Sequence, residues 1–435
     1  MTPVKGAEKQ YGWYYGWNIV AVCVLAQIAA NALPVNAFSL FLQGWSKQLH
    51  TPISTLQLAL ASCGIGCALI SPLIGTLSDK YPARWLFGIG LAGIAVFCFG
   101  IGLMRASWQL ILLYALVLPF ALSLATTVPA NAVVSRWFVR RLGLALGLTS
   151  FGLSFAGIVM PPIVAVALPA IGWRMIWFVA GTVVALVILP LALLVLRDRP
   201  SPRDGLGYLT ASGTSRPHHG HGHGGKSTLR WRTIIASRNF WLLVIIYLPM
   251  LALYGGLGQN LAPIATSRGL SPQIAGMLLS AFSLAQLLAT LGGGLLSDRF
   301  GNRLPLAGMA LVAAAGGVIV AFGHSLAVIG CGTILTGVGG GFWPLLVAAV
   351  AVEFGAEGVG RAFGLIIFFL PIAVLAPFAA AKMQESTGSY VPALLTLAAA
   401  SVLAGLVCLL LREKRQNLVT TGSEPPVAEL AVPTD

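Results

Sequence analysis

Formal charge is what this chain has least of. Its 435 residues include 26 Lys and Arg and 12 Asp and Glu, 9% of the total, where an ordinary soluble domain carries about a quarter. That scarcity excludes a solvated globular fold. The 57% hydrophobic content excludes a disordered chain, which would combine low hydropathy with high net charge. Cysteine is also sparse: Cys23, Cys63, Cys67, Cys98, Cys331 and Cys408 each sit inside an apolar run, whereas a disulfide framework or a zinc site needs closely spaced cysteines in polar loops. They read as small buried hydrophobes. The six histidines lie outside the apolar runs, and no Ser/His/Asp, paired-carboxylate or metal-ligand cluster lies within them. The expectation is therefore no enzymatic activity, no cofactor and no metal.

What is abundant is apolar sequence in long runs. A membrane helix needs about 20 mostly apolar residues, and the runs between polar breaks give twelve candidates, at about 17–42, 55–77, 86–104, 107–134, 142–168, 174–196, 240–262, 274–296, 304–322, 326–351, 362–381 and 391–411. The first run is too long for the core of a signal peptide and lacks a small-residue cleavage site, so it reads as a retained span. The expected fold class is an all-α membrane protein, twelve transmembrane helices in two pseudo-symmetric six-helix bundles.

The net charge of +14 invites nucleic acid or anionic lipid as a partner. Alternating the loops from an internal N-terminus decides between them: only Lys47, Arg105, Arg174, Arg268 and Lys382 fall outside, and every other basic residue falls inside. The positive-inside rule thus places both termini in the cytoplasm of a plasma (inner) membrane. It makes the excess charge a topological signal and not a nucleic-acid surface. The longest polar stretch, 197–238, holds Pro200, Pro202 and the tract His218, His219, Gly220, His221, Gly222, His223. Its composition predicts a flexible linker. The domains expected are a cytoplasmic N-terminus (1–16), an N-terminal bundle (17–196), the linker, a C-terminal bundle (239–411) and a cytoplasmic tail (412–435). The expected partners are a small organic solute and the bilayer, with the monomer as the working unit.

One motif occurs twice. Gly75, Thr76, Leu77, Ser78, Asp79 and Lys80, with Arg84, follow the second run; Gly294, Leu295, Leu296, Ser297, Asp298 and Arg299, with Arg303, follow the eighth. A loop repeated at the same place in each six-helix half is the mark of a duplicated transporter. These loops resemble the signature of the major facilitator superfamily and its degenerate copy. The resemblance implies that Asp79, Lys80, Arg84, Asp298, Arg299 and Arg303 form a conformational switch and do not touch substrate.

A second, narrower resemblance begins at Arg136, Trp137, Phe138, Val139, Arg140 and Arg141 and runs through Gly143, Gly147, Gly152 and Gly157, with Tyr15, Gly16 and Trp17 at the start of the first span. It is similar to the monocarboxylate porters and their oxalate/formate antiporter relatives. Arg136, Arg140 and Arg141 join the expected switch residues, and that branch implies monocarboxylates as substrate, with uniport, exchange (antiport) and proton symport all open. From the residues alone, the glycines form a small-residue seam that lets two helices approach closely. The arginines fall at the inner surface, near lipid phosphates and carboxylates such as Glu353 and Glu357.

Positions about ten residues from a loop charge lie roughly 15 Å deep, near the middle of a core about 30 Å thick. That ruler selects Gln27, Asn31 and Asn36, around Pro34, in the first span. It selects Thr126 and Thr127, Ser150 and Ser154, Tyr247 and Tyr254, Gln286 and Trp343 in spans four, five, seven, eight and ten. An unpaired amide in hydrocarbon costs several kcal/mol, so these face protein or a wet cavity; interhelical bonding that merely holds the bundle together explains them as well. No formal charge lies at that depth. Span eight reads Ser283, Leu284, Ala285, Gln286, Leu287, Leu288, Ala289, Thr290 where carboxylate carriers of the suggested branch commonly place an Arg, and Lys382 falls at the outer mouth. The expected function is a secondary active or facilitative transporter working by alternating access. Its alternatives are an exporter of neutral or aromatic amphipathic compounds and a transport-dead membrane sensor.

Overall fold

A computed structural model describes residues 14–138, 142–198 and 231–410 of the chain, and every regular element among them is helical. Ten helices are long and apolar enough to cross a membrane. Two further crossings are hidden by the way helices join. Leu142–Val183 is continuous, but Gly172 interrupts it at φ 73 and ψ 160, a backbone conformation favoured by glycine. The fifth span ends there and the sixth begins, continuing through Leu189–Val195. The eleventh span is broken: the end of Phe342–Ile367 is followed by Leu370–Val374 and Ala376–Thr387. Residues 352–361, expected as a loop, are helical within Phe342–Ile367. The chain is thus a multi-pass membrane protein of two six-helix bundles.

The first span runs from Gly16–Asn31 through a π-helical turn, Ala32–Asn36, into Phe38–Leu49. Pro34 cannot donate a backbone hydrogen bond and would disturb a regular helix here. The fourth span has its own π turn, Leu113–Val117, and from it the buried Tyr114 hydroxyl donates to the Pro34 carbonyl at 3.0 Å. One irregularity thus satisfies the acceptor loosened by the other. Aromatic rings then lock this half: Tyr114 lies 5.0 Å from Phe97, and Trp45 stacks on Phe41 at 5.3 Å and on Trp177 at 6.3 Å.

The end of the N-terminal half near the chain terminus is tied separately. Tyr14 donates to the Trp137 carbonyl, Tyr15 to Val195 O at 2.8 Å, and Trp137 Nε1 to Arg197 O at 2.7 Å. A Cβ on Gly16 would lie 2.3 Å from the Tyr14 ring and 3.0 Å from Phe138. The aromatic entry read in the sequence therefore has a packing role: it clamps the start of span one to the ends of spans four and six.

The two halves meet along a seam. Spans five and eight pack together across it, as do spans two and eleven, and the Phe38–Leu49 arm of span one lies on span seven. Within the C-terminal half, spans nine and twelve form the main helix pair.

Candidate functional site

Pro34 and its π turn place Asn31 and Asn36 on either side of a bend in span one. Asn31 Nδ2 donates to Gln27 O at 2.9 Å and to Gln27 Oε1 at 3.4 Å. Gln27 is itself buried against span five, where a Cβ on Gly152 would sit 3.0 Å from Gln27 Cβ. Beyond the bend, Asn36 is different. Its Nδ2 is buried and has no hydrogen-bond partner. Its Oδ1 reaches across to span five: a Cβ on Gly157 would lie 3.1 Å from that oxygen and 2.5 Å from Ser283 Oγ of span eight. Asn36, Gly157 and Ser283 therefore converge from three spans at the seam.

Spans seven and eight continue this surface. The Tyr254 hydroxyl donates to Gln286 Oε1 at 2.7 Å, and its ring stacks on Phe282 with centroids 4.8 Å apart. Ser283 and Gln286 are three residues apart and so share a helix face. Gly340 in span ten lets the pair close up, since a Cβ there would lie 2.4 Å from the Tyr254 ring and 2.8 Å from Gln286 Cγ.

The other sequence-selected positions stand apart. Thr126 Oγ1 donates back to Leu122 O at 2.7 Å within its own helix. Tyr247 is buried and packs on Phe342 and Trp343, with centroids at 5.9 and 5.8 Å. Trp343 is itself exposed. Ser150 is exposed and Ser154 half-buried. The side chain of Thr127 lies outside the described residues, as do those of Asp79 and Asp298 and the whole of Arg140 and Arg141.

Of the other residues expected to form a switch, Lys80, Arg84, Arg136 and Arg299 are exposed and Arg303 is half-buried. Arg136 Nη1 lies 3.8 Å from Asp198 Oδ1. That oxygen also accepts from Ala83 N at 2.6 Å, so Asp198 joins the ends of spans three, four and six within one half. The sequence expectation set Arg136 beside Glu353 and Glu357, in the other half. The carboxylate found beside it follows span six, which sequence order alone does not bring near span four, and the side chain of Glu357 lies outside the described residues. The Arg299 guanidinium lies 5.6 Å from the Phe300 ring centroid.

The end of the seam away from the termini carries a set of polar contacts that sequence reasoning missed. Gln57 Nε2 donates to Gln259 O at 3.0 Å and to Asn260 Oδ1 at 3.2 Å, while Gln259 Nε2 donates to Val35 O at 3.3 Å. Ser54 gives its backbone N–H and its hydroxyl to Glu385, at 2.9 and 2.8 Å, and Gln43 donates to Thr266 Oγ1. Each of these bonds joins one half to the other. Gln57 and Asn260 are fully buried, and Asn260 Nδ2 also donates to Gly256 O and Pro377 O. Gln259 lies nine residues before Arg268, so the depth ruler held a signal for this pair. Close packing adds to the latch: a Cβ on Gly276 would lie 2.8 Å from Ala165 Cβ and 2.9 Å from Pro161 O, and one on Gly64 would lie 2.8 Å from Val374. The seam is closed at this end.

Comparison with known proteins agrees with this architecture. A family model described as Major Facilitator Superfamily matches residues 21–264 and 255–432. The MFS transporter asaE of Aspergillus flavus is 27% identical over 74% of this chain and 69% of its own length. An MFS-type transporter of Gibberella moniliformis is 25% identical over 89% of this chain and 88% of its own. Among solved structures, a bacterial homologue of the human lysosomal transporter Spinster, inward-facing and unoccupied, superposes with a TM-score of 0.67 at 17% identity, covering 93% of this chain and 96% of that one.

Proposed function

The chain belongs to the Major Facilitator Superfamily and is a membrane transporter of small solutes, not an enzyme; on that premise we propose that it carries small organic molecules, monocarboxylates first among them, by alternating access. The observation that carries this reading is Asn36. A buried amide N–H without a partner costs free energy, and this one lies at the meeting of spans one, five and eight, where a solute acceptor would satisfy it. Gln27, Asn31, Tyr254, Gln286 and Ser283 supply further donors and acceptors around the same bend.

A carboxylate bound here meets no fixed cation among the described midplane residues. Several neutral donors can together replace hydration, and hydrogen bonds to the charged form favour it. Tyr254 and Phe282 provide an apolar wall that suits an organic body. With both termini in the cytoplasm, the closed latch at the far end makes this the inward-facing state. The switch loops then act when the other end closes.

Counterflow in proteoliposomes tests the reading. Liposomes preloaded with an unlabelled monocarboxylate should accumulate the labelled species, and Asn36→Ala should raise the half-saturating concentration. Failure of every monocarboxylate in the panel removes the substrate class. The stacked Tyr254–Phe282 pair and the uncharged lining favour a second reading, export of neutral or aromatic amphipathic compounds. Counterflow of neutral aromatics in the same vesicles, with none for acids, would select it.

A further inference from the structure

A polar cleft lies at the closed end of the seam, away from the midplane residues. Its volume is ≈ 170 Å³, and both halves build it. One wall is the outer arm of span one, Phe38–Leu49, on which Ser39, Gln43 and Lys47 recur every four residues and so share a face. The opposite wall brings Ala262 and Thr266 from span seven and Pro272 and Ala275 from the start of span eight.

Three features make this cleft more than a gap in packing. Ser39 is 2% exposed, lines the cleft, and its Oγ has no hydrogen-bond partner; a buried hydroxyl left in that condition is costly unless something enters to accept from it. Lys47 is exposed at the mouth, two helical turns away on the same face. The lining contains no carboxylate, and Glu385, a described acid near this end, is already engaged by Lys382 at 3.5 Å and by Ser54. The rest of the lining is largely apolar. A dry apolar cavity of about 150 Å³ holds a benzene ring, so the space fits a ring-sized organic body.

We propose that this cleft is a second binding site, for a small organic monoanion, with its carboxylate between Ser39 Oγ and Lys47 Nζ and its apolar body against Leu40, Leu168 and Ala275. An occupant would touch both halves beside the Gln43–Thr266 bond that joins them. Binding there would stabilise the state in which this end is closed.

Gly44 lines the cleft, and a Cβ added there meets only Trp173 Cδ1, at 3.9 Å, so Gly44→Cys reports occupancy and leaves Ser39, Gln43 and Lys47 intact. The experiment uses the full-length variant in lipid nanodiscs and measures alkylation at position 44 by a neutral maleimide, read by mass spectrometry. Replacing chloride with benzoate at constant ionic strength should slow the reaction, by about tenfold when benzoate stands at roughly ten times its dissociation constant. Benzamide, the uncharged analogue, should protect far less. Adding Lys47→Gln should weaken benzoate binding by about tenfold, the range of one charge-assisted bond, so that the same benzoate concentration slows the reaction only about twofold, and Ser39→Ala should reduce protection as well. No protection on exchanging chloride for benzoate, or equal protection by benzamide, overturns the proposal. Transport is not measured, so the result stands apart from the identity of the midplane cargo.

Discussion

From the middle of the seam to the end away from the termini, glycines bring the halves together: added Cβ atoms on Gly276, Gly157 and Gly64 would each lie within 3 Å of atoms from the opposite half. At the end near the termini the same helices carry Gly147, Gly292, Gly294 and Gly364, and an added Cβ on any of these meets nothing within 4 Å. Spans five and eight each contribute to both groups. The chain has therefore placed close-approach residues at both ends of one seam, although a single state uses them at only one end. Small residues are needed wherever helix backbones touch, so on the alternating-access mechanism proposed above the open glycines are contact surfaces for the opposite state.

The sharpest way to break this comparison is Gly276→Leu. Overpacking at a closed contact costs about 1–3 kcal/mol, so the far end should spring open, read as a longer spin-label distance across it by pulsed EPR. The reciprocal variant, Gly147→Leu, should leave that distance unchanged and shift thermal stability by less than ~0.5 kcal/mol. Its transport turnover should nevertheless fall, since the opposite state must close on that position; full turnover would refute the reading of the open glycines.

Asp79→Asn lies at the open end of span two. It should slow turnover about tenfold, ~1.4 kcal/mol of barrier, with substrate affinity nearly constant. Asn31→Ala should alter affinity and spare turnover at saturation. A reversed pattern in equilibrium binding and counterflow would overturn the division of switch from site. A smaller effect is expected from Gln57→Ala, which removes the bonds to Gln259 O and Asn260 Oδ1. The latch should weaken by about 1 kcal/mol, seen as faster hydrogen exchange at the end of span seven near Asn260.

How much of this is legible in the sequence depends on the kind of interaction. Apolar runs and loop charges marked the spans and the repeated Asp loops, because bilayer thickness and backbone hydrogen bonding act on each segment alone. Gln27 and Asn31 pair locally, as their four-residue spacing allows. Asn36, by contrast, was legible as a polar midplane residue but not as an orphan. Its condition depends on Gly157 and Ser283, which arrive from distant parts of the chain. The loop expected at 352–361 is helical for a related reason: charge at Glu353, Glu357 and Arg361 marks a departure from hydrocarbon and does not by itself end a helix.

Composition and pattern thus determined the class of the protein and its number of crossings, since each follows from the free energy of moving one segment between water and lipid. Tertiary structure alone decided which end of the seam is closed, that Gln57 meets Asn260 across it, and that Ser39 faces a cleft with Lys47 at its mouth. The pairings that close the seam join residues as far as 331 positions apart, and their free energy exists only once packing has paired donor with acceptor and excluded the lipid and water between them.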